Sequence, residues 1–237
     1  MARAIVPTPL VSPPAPAVYD SSVMLRRSWI LAVGLAVAVS AHARDERRDV
    51  PGRFDYYVLS LSWSPQYCAD AGDRDRRQCA TGRRYAFVLH GLWPQYDRGF
   101  PRSCAAGDAL PRALVDGMLD VMPSPSLVRH EWDTHGTCSG LAADAYFATA
   151  RRAFDSVVIP DRFRQPVREV YVDPRRIERD FASANPSLDP DEIAVLCKGR
   201  YLQEVRICLD RDLRPRACGR DVRDDCRRDE VIVRPVR

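Results

Sequence analysis

All eight cysteines of this chain lie beyond residue 67: Cys68, Cys79, Cys104, Cys138, Cys197, Cys208, Cys218 and Cys226. What they can do depends on the compartment, and the N-terminus speaks to that. Met24-Leu25-Arg26-Arg27 is a basic start, Trp29 to Val39 is an apolar run, and Ala41 and Ala43 are small residues spaced for cleavage. That order is the order of a secretory signal peptide. The apolar run is too short to span a bilayer, which takes about 20 residues. Residues 1–43 are therefore expected to be an N-terminal extension plus a signal peptide, with the true start at Met24 and cleavage after Ala43. The working domain is expected over 44–237. An even number of cysteines on an exported chain reads as four disulfides. Zinc is disfavoured, because no C-x-x-C pair and no finger spacing occurs. The sequence alone leaves roughly 105 pairings open.

Charge narrows the partners less. Removing Arg3, Arg26, Arg27 and Asp20 with the first 43 residues lowers the formal net charge from +4 to +2. A chain so weakly basic is no general magnet for polyanions, so any polyanion must be bound by a local arrangement. Lys198 is the single lysine, which leaves phosphate contacts mostly to arginine and its bidentate fork.

The apolar pattern gives a coarse fold. Phe54 to Trp63 is apolar and aromatic on both faces and reads as a buried strand, and Arg84 to Leu89 as a second strand running into a His90-Gly91 turn. Leu110, Leu114 and Met118 mark an amphipathic helix stopped by Met122-Pro123-Ser124-Pro125. Tyr146 to Val157 suggests another, capped by Asp144, and Asp173-Pro174 starts a third, carrying Ile177 and Phe181. Ile193–Cys197 and Tyr201–Leu209 read as strands around a tight turn at 198–200, with a last short strand at Val231–Val233. Strands and helices do not alternate regularly. The expected class is α+β: a mainly antiparallel sheet with several packed helices, stapled by disulfides into a single domain.

Two short blocks concentrate the chemistry. FVLHGLWPQ (Phe87 to Gln95) and HEWDTHGTC (His130 to Cys138) hold His90, His130 and His135, which are all the histidines outside the expected leader. Histidine alone among unperturbed side chains exchanges a proton near neutral pH. If the second block is helical, Glu131 and His135 share a face, as do His130 and Thr134. A carboxylate beside an imidazole raises its pKa and orients it. The block almost spells the zinc-protease H-E-x-x-H, but one extra residue intervenes. Histidines five apart sit about 140° apart around a helix and cannot chelate as an i, i+4 pair does. Either histidine taken singly would pass for a structural one. Both beside a glutamate, with His90 arriving from elsewhere, point to paired acid and base. RNA supplies what such a pair needs: a 2′-hydroxyl that attacks its own phosphate and a 5′-oxygen that leaves. No metal, cofactor or external nucleophile is required, and DNA, lacking the 2′-hydroxyl, is inert.

The two blocks, in this order and spacing, resemble the active-site segments of the T-two family of acid endoribonucleases, and the likeness runs from about Phe54 to the C-terminus. The resemblance implies His90 as general acid and His135 as general base, with His130 holding the phosphate and Glu131 supporting the transition state. It also implies that Trp93 stacks on a base, and Tyr96 and Phe100 could complete a base pocket. The expected activity is metal-independent cleavage of single-stranded RNA through 2′,3′-cyclic phosphates to 3′-phosphates, by a secreted or periplasmic monomer with no DNA substrate and no stable membrane association.

The resemblance further implies four disulfides: Cys68–Cys79, Cys104–Cys138, Cys197–Cys226 and Cys208–Cys218. The first and last close short loops, and Cys104–Cys138 pins the two blocks together, worth on the order of 3 kcal/mol by chain entropy. One residue departs from the family pattern. Thr134 stands where the family usually has a lysine, and loss of one preorganised donor costs about 10²–10³ in rate. Arg129 is the nearest candidate to substitute, and the alternative is a weakened or inactive homologue acting as an exported RNA-binding or toxic protein.

Overall fold

The computed structural model describes residues 49–236, so the expected extension and signal peptide lie outside the described residues. Strand β1 (Tyr56–Trp63) is buried along nearly its whole length. Tyr57, Leu59, Leu61 and Trp63 enter the main apolar cluster on one face. Tyr56 and Val58 on the other enter a smaller cluster with Ala194, Cys208 and Val222. Alternation then places Ser60 and Ser62 on the same face as Tyr56 and Val58, so the second half of β1 carries no large side chain there.

Strand β2 (Phe87–Gln95) pairs antiparallel with β1, and β5 (Tyr201–Leu209) pairs antiparallel with the opposite edge of β1. Strand β4 (Ile193–Lys198) returns on β5 through a turn in which Gly199 has φ +64°, the left-handed region glycine supplies. Strand β3 (Val170–Val172) pairs antiparallel with β6 (Val231–Val233), and β6 meets β5 in a single parallel pairing. The sheet order β2-β1-β5-β6-β3, with β4 on β5, is thus mainly antiparallel. The fold is α+β.

Helices cover one side of this sheet's main core. They are α1 (Ser64–Ala71), α2 (Arg76–Cys79), α3 (Arg112–Asp116), α4 (Pro125–Thr134), α5 (Ala143–Asp155) and α6 (Pro174–Ala184). Helix α6 starts as its sequence indicates, with the Asp173 side chain accepting from Arg175 N–H and Pro174 in the first turn. It buries Ile177 and Phe181 against Phe87 and Phe163.

Three expectations are corrected. The helix through Leu110, Leu114 and Met118 shrinks to the short α3, because Pro111 caps its start and Gly117 ends it. Asp144 is not the cap of α5: Ala142 holds that position and Asp144 lies in the first turn, where its charge still suits the helix dipole. The second strand begins at Phe87 and continues through His90-Gly91 to Gln95, so no turn occurs there. Pro94 is tolerated because β2 ends the sheet order and has an edge free of ladder bonds.

The disulfides Cys68–Cys79, Cys104–Cys138, Cys197–Cys226 and Cys208–Cys218 are all formed, the set the resemblance implies. Cys104–Cys138 joins the loop after β2 to the segment just past α4. Among the described residues no helix is long and apolar enough to cross a membrane.

Candidate active site

The pairing of β1 with β2 steps from Ser60↔Gly91 to Leu61↔Leu89. His90 is therefore the extra residue of a β-bulge, a device that re-aims one side chain out of the pleat. Its neighbours Leu89 and Leu92 remain in the core while the imidazole is about one third exposed. Gly91 follows it for a steric reason. A Cβ there would overlap Glu131 Oε2 and Trp93 Nε1, the two atoms of a 2.7 Å hydrogen bond that Trp93 donates to Glu131. The H-G-L-W spacing is thus one packed unit: histidine on the bulge, no side chain next, and an indole that reaches the glutamate of the other block.

Helix α4 brings the second block. Val128 and Trp132 bury one face, while Glu131 is 1% exposed and His130 is exposed. The Thr134 hydroxyl lies 3.4 Å from His130 Nδ1, one turn apart as the spacing predicts. His135 lies just past the end of α4, with φ −118° and ψ −44°. Its N–H still donates to the Glu131 carbonyl, 3.0 Å away, one turn back. The Glu131 carboxylate instead faces His90, with Oε1 3.8 Å from Nε2. His135 stacks on Trp93, ring centroids 5.2 Å apart at 29°, and lies edge-on to His130 at 6.5 Å. Gly136 makes this path possible, since a Cβ there would collide with the rings of Trp132 and Tyr146.

Trp93 therefore sits among the reactive groups. His90 is edge-on to it at 5.1 Å, His135 stacks on it, Glu131 takes its N–H, and the Arg206 guanidinium lies 4.9 Å from its centroid. The ring that the resemblance assigns to a base is thus also in contact with both imidazoles and with the glutamate. Tyr96 and Phe100 flank the turn that follows β2. Tyr96 is half-buried against the core, and Phe100 is exposed beneath Arg102, whose guanidinium is 5.3 Å from its centroid. Arg129 donates to the Pro125 carbonyl at the start of α4, so the structure does not bring its charge to His135. A cation does lie near His135, but it is Arg102.

Electrostatics separates the two histidines. His135 is pushed down to about 3 by burial first, then by the charges of His130, His90 and Arg102. It is neutral over most of the working range. For His90 burial also pulls downward, but hydrogen bonding and charge from Glu204, with Glu131 behind it, win and raise it above the ordinary imidazole value. Glu131 is itself raised to about 7, because its burial outweighs the opposing His90 charge and Trp93 hydrogen bond. Glu131 Oε1 and His135 Nδ1 are buried without a hydrogen-bond partner. Unsatisfied groups of that kind are rare in a packed interior and are often the reactive ones.

Glu204 was not singled out in the sequence. Its trace there is a carboxylate and an arginine two residues apart in a strand that is otherwise largely apolar. Two such residues share one face of the strand.

Comparison with known proteins finds relatives over most of the described residues. The sequence model of the Ribonuclease T2 family matches residues 54–218. A ribonuclease of Aeromonas hydrophila is 34% identical over 185 residues, covering 77% of this chain and 84% of that protein. Ribonuclease I of Escherichia coli strain K12 is 28% identical, covering 79% and 87%. Among solved structures, an RNase-related protein from Calystegia sepium superposes with a TM-score of 0.64 at 23% identity, over 77% of this chain and 98% of that one.

Proposed function

The chain belongs to the Ribonuclease T2 family and is an endoribonuclease, and we propose that it cuts single-stranded RNA by transferring two protons between paired histidines. His135 takes the proton of the 2′-hydroxyl, and the 2′-oxygen attacks the adjacent phosphorus. The bond from phosphorus to the 5′-oxygen breaks, and His90 delivers the Nε2 proton to that leaving oxygen. A 2′,3′-cyclic phosphate results, and water admitted in place of the leaving group opens it to the 3′-phosphate by the reverse proton movements. Glu131 and His130 flank the phosphorane. The observation that carries this reading is the opposite treatment of two imidazoles around one indole: His90 lies between carboxylates, whereas His135 stacks on Trp93 under cationic neighbours. Environments that push two titrating groups apart assign one to the acid and the other to the base.

Four disulfides suit an oxidising compartment, so the enzyme is taken to work outside the cytoplasm, in the periplasm or beyond, as a monomer acting on RNA and not on DNA. The deciding experiment is digestion of a defined RNA with and without chelator, followed by analysis of product ends. Chelator-resistant cyclic phosphates are expected. Chelator-sensitive cleavage, or products with 5′-phosphates, would overturn the mechanism.

A further inference from the structure

His90 is held at both ends of its ring. Nε2 faces Glu131, and Nδ1 lies 2.8 Å from Oε2 of Glu204, a residue of β5 that is 3% exposed. The contact spans a whole strand, since β1 runs between β2 and β5. Neighbouring strands are about 4.8 Å apart, so two side chains separated by a strand must bridge roughly twice that. They can meet here because the intervening strand presents only serine. Ser62 pairs with Val88 on one side and Glu204 on the other, and its hydroxyl is within 3.5 Å of Glu204 Oε2. A large side chain at Ser62 would fill that passage. Arg206, two residues along the same face of β5, completes the set with Nε 2.6 Å from Glu204 Oε1.

We propose that Glu204 is a positioning residue for cleavage: it accepts the Nδ1–H of His90, fixes the ring with Nε2 towards the leaving oxygen, and keeps that nitrogen protonated. The inference rests on His90 being the general acid, as argued above. An ionised carboxylate can only accept a hydrogen bond, so it dictates that Nδ1 carries a proton and that Nε2 is the nitrogen that titrates. Glu204 is ionised throughout. Burial alone would raise it, yet the His90 hydrogen bond and charge and the Arg206 guanidinium hold it at about 2. The groups facing His90 are Glu204 and Arg206 from β5, Glu131 from α4, Trp93 from β2 and Ser62 from β1. His135 lies within electrostatic reach, and Tyr67 and Asp70 of α1 and His130 of α4 line the cavity beside it.

The test uses the full oxidised chain with Glu204→Gln, which keeps shape and hydrogen bonding but removes the charge. Two quantities are read: the pKa of His90 by NMR titration, and the alkaline limb of kcat/KM on a dinucleotide substrate. Both are expected to move down by about one unit or more, giving a rate loss that approaches about tenfold on the alkaline side of both limbs and largely disappears at pH 5. Arg206→Gln is expected to move both the other way, because Arg206 opposes protonation of His90. A merely structural role would lower the rate equally at every pH in both variants and leave the limbs in place; that outcome overturns the proposal. So does an unchanged His90 pKa in Glu204→Gln. If His90→Ala keeps its activity, the acid assignment fails instead, and the NMR titration still reports on the Glu204 pair separately.

Discussion

Replacing Glu131 by glutamine should make the protein more stable above neutral pH while crippling it as an enzyme. The carboxyl is 1% exposed and its pKa is raised to about 7 from an ordinary value of 4.5. An acid whose folded pKa lies above its unfolded one binds its proton more tightly when folded. Stability is then greatest below about 4.5 and falls as pH rises, reaching its full loss above about 7. A difference of about 2.5 units corresponds to about 3 kcal/mol. Glutamine has no such cost, because it is neutral at every pH. Its side-chain oxygen can still accept the Trp93 N–H, which now donates to Glu131 at 2.7 Å, and His90 keeps Glu204 as its counter-charge. For a domain of this size each kcal/mol shifts Tm by about 2–4 °C, so the variant should melt roughly 6–12 °C above the native protein at pH 8. Near pH 4 the two should melt together. Thermal unfolding followed by circular dichroism at both pH values, with disulfides intact, measures the gap. A gap of equal size at both pH values, or a variant less stable at pH 8, would show that the buried carboxyl is not strained by its charge.

Other outcomes follow from the same site. His90→Ala and His135→Ala should each lose about 10²–10⁴ in RNA cleavage with an unchanged circular dichroism spectrum; near-native turnover in either would remove that residue from the mechanism. The rate profile should be a broad bell, falling on the acid side as His135 protonates towards about 3 and on the alkaline side as His90 loses its proton above the usual imidazole range. A rate that does not fall towards about pH 3, or that shows no alkaline fall, would contradict paired-histidine catalysis. Arg102→Ala should slow cleavage, whereas Arg129→Ala should not, since Arg129 is tied to the Pro125 carbonyl. Thr134→Lys should raise the native rate and blunt the effect of losing Arg102, a coupling that a double-mutant cycle reads directly.

Much of this was legible before any coordinates, and the failures have physical causes. Buried strands β1 and β5 announce themselves through continuous apolar runs, and the two histidine blocks through composition. The His90-Gly91 segment reads as a turn because glycine and proline are turn residues, yet both belong to an edge strand: the glycine is there to clear Glu131, not to bend the chain. Glu131 and His135 look like partners at i, i+4, but the Glu131 carboxylate faces His90 and Trp93 of the other block. Glu204 and Arg102 escape notice because each acts from a separate part of the chain. Their importance exists only once β5 lies across β1 from His90, and once the loop after β2 is tied to the end of α4 by Cys104–Cys138.

The bulge at His90 carries a lesson about how such an enzyme persists. A sheet can gain a working residue in two ways: by surrendering a core position or by inserting an additional one. Here the strand takes the second course, so Leu89 and Leu92 keep filling the interior while the imidazole stands outside the alternation. The cost is an interrupted ladder that gives the sheet no advantage of its own. A chain shortened by that residue should pair more regularly with β1 and, on the proposed mechanism, lose its general acid. On the proposed mechanism it is the cleavage chemistry that makes use of the irregularity, and shortened variants recovered from a screen for thermal resistance should be inactive.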